Sequence, residues 1–152
     1  MPFTLSIPSF VSGGDIPRRH TCDDADASPQ LTWTDPPNGT KSFALIMDDP
    51  DAPTGTFTHW VLVDIPGNRK DVPAEFRSGT LGVSGKNSAG RVGYMGPCPP
   101  SGTHRYFFRL SALDVSSLGL SEGASRNQVE AAMAAHVIGT AELMGRYTRQ
   151  RK

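Results

Sequence analysis

Cysteine is scarce in this 152-residue chain: Cys22 and Cys98 are its two cysteines, and they stand in neither a CxxC nor a zinc-ribbon spacing. The usual disulfide-framework and structural-zinc signatures are therefore missing, which points to a reducing cytoplasm. Net charge is lacking too. Lys plus Arg is 15 and Asp plus Glu is 15, and without a basic run there is no electrostatic footprint for nucleic acid. No apolar stretch approaches the roughly 20 residues of a membrane-spanning helix. Near the start, Pro2, Pro8, Gly13, Gly14, Asp15 and Pro17 break up any apolar core of signal-peptide length. A soluble cytoplasmic protein without a transmembrane segment is the expectation, organised as a single domain over residues 1–152.

What the chain does contain is strand chemistry. SFALIM (42–47), FTHWVLVDI (57–65) and HRYFFRLSAL (104–113) are rich in aromatic and branched apolar residues and are bounded by Pro or Gly, so they predict central strands. FTLSIPSF (3–10) and QLTWT (30–34) alternate polar with apolar residues and predict shorter ones. Glycine and proline crowd residues 78–103 and predict a long functional surface loop. Val129, Met133, Val137, Ala141 and Met144 recur at three- and four-residue spacing, which predicts a helix from about Arg126 to Tyr147 with Ser125 as its cap. A shorter helix near 69–76 is weakened by Pro73. The fold class that follows is mainly β, an antiparallel β-sandwich with a C-terminal α-helix packed outside.

Polar chemistry gathers where these strands end. DDPDAP (48–53) closes the first central strand, and His59 stands near the start of the next. In the third, His104 and Tyr106 share one face while Arg105, Phe107 and Arg109 share the other. GPCPPSGT (96–103) runs straight into that strand; its prolines stiffen the backbone and its glycines allow close approach to an anion. Each feature has an ordinary reading: Asp and Pro form turns, a solitary histidine is commonly structural, and Cys98 is an inert small residue unless a base activates it. His20 and His136 have no clustered partners in the sequence and read as structural. The coincidence of Asp49, Asp51, His59, His104 and Tyr106 at strand ends beside rigid loops is what favours a site. A hairpin would bring the carboxylates near the histidines, where Asp49 accepts a hydrogen bond from a ring nitrogen and favours imidazolium.

DPDAP, HWVLVD (59–64) and GPCPPSGTHRYFF (96–108) together resemble the phosphatidylethanolamine-binding protein family, specifically its bacterial Raf kinase inhibitor-like branch. The likeness extends from HTCDDADASPQLTW (20–33) to the C-terminal segment. It implies a Greek-key sandwich with a small anion pocket for phosphate or phosphorylated head groups. Carried over by position, the pocket residues are Asp49, Asp51, His59, Gly96, Pro97, His104 and Tyr106. Animal members have a longer stretch before the histidine that supplies an aromatic residue; here Phe57 stands in that place and carries no hydroxyl. The bacterial pattern also implies a homodimer.

The expected function is binding of a phosphate-bearing small molecule or lipid headgroup, with regulation of a partner protein such as a kinase, no cofactor and no enzymatic activity. Two alternatives belong to other classes. One is a hydrolase with Cys98 as nucleophile and His59 or His104 as base, although no nucleophile elbow is evident. The other is a metal site built from two histidines and a carboxylate, although HExxH is missing.

Overall fold

A computed structural model describes residues 2–149. In chain order the elements are β1 (Thr4–Ser6), a single 3-10 turn (Arg18–His20), β2 (Leu31–Thr34), β3 (Ser42–Asp49), β4 (Phe57–Pro66), β5 (Asp71–Val72), β6 (Val83–Ser84), β7 (Thr103–Leu113), α1 (Arg126–Met133) and β8 (Val137–Thr148). Two antiparallel sheets form, one of order β1-β2-β5 and one of order β6-β4-β3-β7-β8. Within the larger sheet, β3, β4 and β6 follow one another and β7 returns beside β3, a Greek-key arrangement.

Every residue of β3 is buried, because the strand is central and both its faces are covered; a continuous apolar run is what such a strand requires. Phe43, Leu45 and Met47 point with Trp60, Leu62, Phe108 and Leu110 into the sandwich, against Leu5, Leu31, Trp33 and Val72 of the small sheet. On the opposite face Ala44, Ile46, Val61, Val63 and Leu113 pack with Val129 of α1. Since β3 runs antiparallel to both β4 and β7, its C-terminal end meets the N-terminal ends of both neighbours. That geometry gathers the polar strand ends at one edge of the sandwich.

The helix predicted to reach Tyr147 stops at Met133, and the rest is β8. Ser125 caps it as expected, with a reciprocal box to Gln128. Beyond it, Ala141, Leu143, Gly145 and Tyr147 are buried at a period of two, and β8 pairs with β7 from Val137 to Thr148. Branched Val137, Ile138 and Thr140 disfavour helix in the same stretch. Residues 69–76 form no helix but contribute β5. The 78–103 segment is more than a surface loop: it donates β6, and Ser84, Asn87, Gly93, Gly96 and Pro97 are buried.

The two cysteines, expected unpaired, form a Cys22–Cys98 disulfide with Cα atoms 5.4 Å apart. Their separation of 76 residues in the chain hid a pairing that the fold makes by laying 20–28 against 94–98. With both thiols paired, the cysteines no longer point to a reducing compartment. No peptide bond among the described residues is cis, and no helix among them is long and apolar enough to cross a membrane.

Candidate anion site

At the edge where β3 ends, the β3–β4 pairing slips: Met47 faces Trp60, while Asp48 faces Thr58. His59 is the extra residue of this bulge, a device that re-aims a side chain. It is buried and held by Met95 twice over. The ring Nδ1–H donates to the Met95 carbonyl at 2.6 Å, and the Met95 N–H donates to the His59 carbonyl at 3.0 Å. From β7, His104 donates through Nδ1 to Asp49 Oδ2 at 2.7 Å, and both partners are buried. Asp49 is itself steadied by the Asp51 N–H, which donates to its Oδ1 at 2.8 Å.

These contacts settle the tautomers. A carbonyl or carboxylate oxygen can only accept, so both Nδ1 atoms carry protons and each ring has only Nε2 left for a ligand. Burial pushes the His59 pKa below its ordinary 6.5, opposed by the Met95 carbonyl and then by the Asp49 and Asp48 charges. Tyr106 is fully buried; no partner meets its hydroxyl with good hydrogen-bond geometry, and the Asp49 carboxylate lies close enough to interact with it. Burial, followed by the Asp49 and Asp51 charges, raises its pKa, so the hydroxyl keeps its proton. Its ring meets His59 edge-on at 5.3 Å between centroids, and Phe57 leans on the other side of the imidazole at 4.8 Å.

His59, His104, Tyr106 and Asp49 line one cavity of about 150 Å³, walled by Ala52, Pro53, Phe57, Met95, Cys98, Pro99 and Pro100. Four of the seven expected pocket residues thus converge. The other three support it from behind. Asp51 faces away and clamps the 50–56 turn to β7: its carboxylate takes the Arg105 N–H at 2.9 Å, Nε at 2.9 Å and the terminal nitrogen at 2.8 Å. The Arg105 hydrogen bond leads in lowering the Asp51 pKa to about 2. Gly96, expected to offer its N–H to an anion, donates it instead to Asp26 Oδ1 at 2.9 Å. A Cβ there would run into Asp26 Oδ1 and the His20 carbonyl, so glycine is needed for close packing. Pro97 accepts the Cys22 N–H through its carbonyl at 3.1 Å.

Sequence reasoning missed this second layer. Asp26, Tyr94 (whose hydroxyl donates to the His20 carbonyl at 2.7 Å) and the disulfide all brace the 94–98 wall. The one local signal was the density of polar residues in 20–28. A more open groove of about 500 Å³ lies near Lys86 and Arg126. There Arg126 is already committed to Asp48 at 2.7 Å, whereas the smaller cavity holds buried polar groups with unused capacity.

Comparison with known proteins decides the lineage. The phosphatidylethanolamine-binding protein family model matches residues 6–148. The chain belongs to that family. It is 52% identical to a UPF0098 protein of Aquifex aeolicus over 93% of this chain and 85% of the relative. A UPF0098 protein of Methanothermobacter thermautotrophicus is 50% identical, over 95% and 98%. Among solved structures, CT736 of Chlamydia trachomatis, described as a putative family homologue, superposes with a TM-score of 0.92 at 36% identity, over 98% of this chain and 99% of that one. YbcL of E. coli, described as a new member of the mammalian family, gives 0.91 at 31%, over 99% and 100%.

Proposed function

We propose that the cavity binds the anionic head of a phosphate-bearing small molecule or lipid headgroup. The observation that carries this reading is the convergence of two histidines, each locked through Nδ1, with a buried Tyr106 hydroxyl beside Asp49 that is not held in a well-formed hydrogen bond. Tyr106 supplies a donor as it stands. Each Nε2 becomes a donor only when its ring is protonated; a neutral ring instead accepts the P–OH of a protonated phosphate. In either case a proton is held between ring and oxyanion. At about 150 Å³ the cavity lies below the roughly 300–1,000 Å³ that encloses a drug-sized ligand, so it admits a headgroup and leaves acyl chains outside. Its proline, phenylalanine and methionine walls suit the carbon stem of a monoester and strengthen the charged contacts by excluding water.

Calorimetric titration with sulfate, which brings no proton near neutral pH, isolates the protein's own contribution. Affinity should fall as pH rises above the histidine range, by up to about tenfold per unit for one linked proton. His104→Ala should weaken binding by about 1.5–3 kcal/mol, the worth of a charge-assisted hydrogen bond. A pH-independent affinity, or a His104→Ala variant that binds like wild type, would contradict the reading.

The Cys98-nucleophile alternative loses its thiolate to the disulfide. Among the described residues no group of three or more His, Cys, Asp or Glu is arranged to hold a metal ion. Binding is the role we assign to this cavity. Family resemblance is also the ground for a homodimer and for regulation of a partner protein such as a kinase. A clean monomer in sedimentation at micromolar concentration would count against the dimer.

A further inference from the structure

A second constellation lies in a different cavity, of about 270 Å³, lined among others by Ser9, Arg19, His20, Ser28, Gln30 and Glu75. His20 looked isolated in the sequence, yet the fold gives it a serine. The turn closed by the Phe10 N–H donating to the Ile7 carbonyl at 3.2 Å places Ser9 after Pro8, and Ser9 Oγ lies 2.9 Å from His20 Nε2. On the far side of the ring, Nδ1 lies 2.8 Å from the Ala27 carbonyl. A carbonyl cannot donate, so Nδ1 carries the proton, Nε2 of the neutral ring presents a lone pair, and the Ser9 hydroxyl must be the donor. Nucleophile, base and an oxygen that orients the base are thereby in line, the arrangement that activates a serine. The 3-10 turn and the carbonyls that anchor 20–28 hold His20 rigidly, and it is buried, while Ser9 is only half-buried.

We propose that Ser9 is a nucleophile activated by His20 and that this cavity accepts the acyl group of a small carboxylic ester. Ser9 Oγ adds to the ester carbonyl carbon while its proton passes to His20 Nε2. The bond to the leaving alcohol then breaks, the alcohol oxygen takes the proton back from Nε2, and acyl-Ser9 remains. Water, deprotonated by the same nitrogen, releases the carboxylic acid and restores the serine. Arg19 lines the cavity and supplies positive charge for the tetrahedral oxyanion. Burial, reinforced by the Arg19 charge and opposed by the Ala27 hydrogen bond, holds the His20 pKa below its ordinary 6.5. Glu75 is the acidic group that lines the same cavity. The ring is thus a free base at neutral pH.

The test uses the full chain with p-nitrophenyl acetate as substrate and a small fluorophosphonate as trapping reagent, followed by peptide mapping. Wild type should carry one adduct, on Ser9. Ester hydrolysis should rise with pH through a single ionisation below 6.5 and level off above it. Ser9→Ala should lose the adduct and lower the hydrolytic rate by about 10²-fold or more. Wild type with no adduct on Ser9, or a folded Ser9→Ala variant within about twofold of the wild-type rate, overturns the proposal. The wild-type map decides the matter without any variant.

Discussion

Asp49 works through its neighbours. It accepts from His104 and the Asp51 N–H, and its charge is among the influences that raise the His59 pKa against burial. Asp49→Asn keeps an oxygen for the His104 Nδ1–H but removes the charge, so the sulfate-binding profile should move to lower pH, as read by calorimetry. An unchanged profile would reduce the carboxylate to a turn former. The unliganded protein should respond to acid in a related way. Burial holds the His20 and His59 pKa values below their ordinary 6.5 in the fold, so beneath that value these two sites bind more protons in the unfolded chain than in the native one. Their contribution to stability is present above the unfolded pKa and is lost as pH falls through the folded values. Thermal unfolding from about pH 8 to about 5.5 should show a declining midpoint that sulfate restores most at the acid end. At this scale the sequence was partly legible. The parity of β7 put His104 and Tyr106 on one face, and DDPDAP marked an acid for a histidine. The His59 bulge and the packing role of Gly96 were hidden, since one depends on strand register and the other on Asp26, 70 residues away.

The wall formed by residues 94–98 has no regular structure of its own and is held by what it touches. Tyr94 and Gly96 bond to 20–26, Met95 bonds to His59, and Cys98 is tied to Cys22. Reducing the disulfide frees a long loop of the unfolded chain and should cost about 2–4 kcal/mol of stability. Urea unfolding with and without a dithiol measures this, and coincident midpoints would show that the hydrogen bonds alone suffice. Gly96→Ala should destabilise the same wall and weaken sulfate binding along with it, because backbone at His20 must move to admit a methyl group. The C-terminal segment shows why element type was misread. Its three- and four-residue spacing from Val129 to Met144 is genuine as far as Met133, after which pairing with β7 imposes a period of two. Both periods fit several of the same apolar residues, and tertiary pairing chose between them.

For the molecule as a whole, the two-sheet sandwich follows from strand chemistry that is plain in the sequence, and the position of the site follows from topology. An antiparallel centre places the end of β3 against the beginnings of β4 and β7, so residues from 49 to 106 meet in one small cavity. The sequence could name those residues but not their mutual orientation, because the tautomers are set by the Met95 carbonyl and the Asp49 carboxylate. That orientation is the centre of the account, and a crystal structure grown in sulfate tests it most directly. The predicted result is tetrahedral density in the His59–His104 cavity, within hydrogen-bond distance of both Nε2 atoms and the Tyr106 hydroxyl. Sulfate bound elsewhere on the molecule, with only water in this cavity, would contradict it.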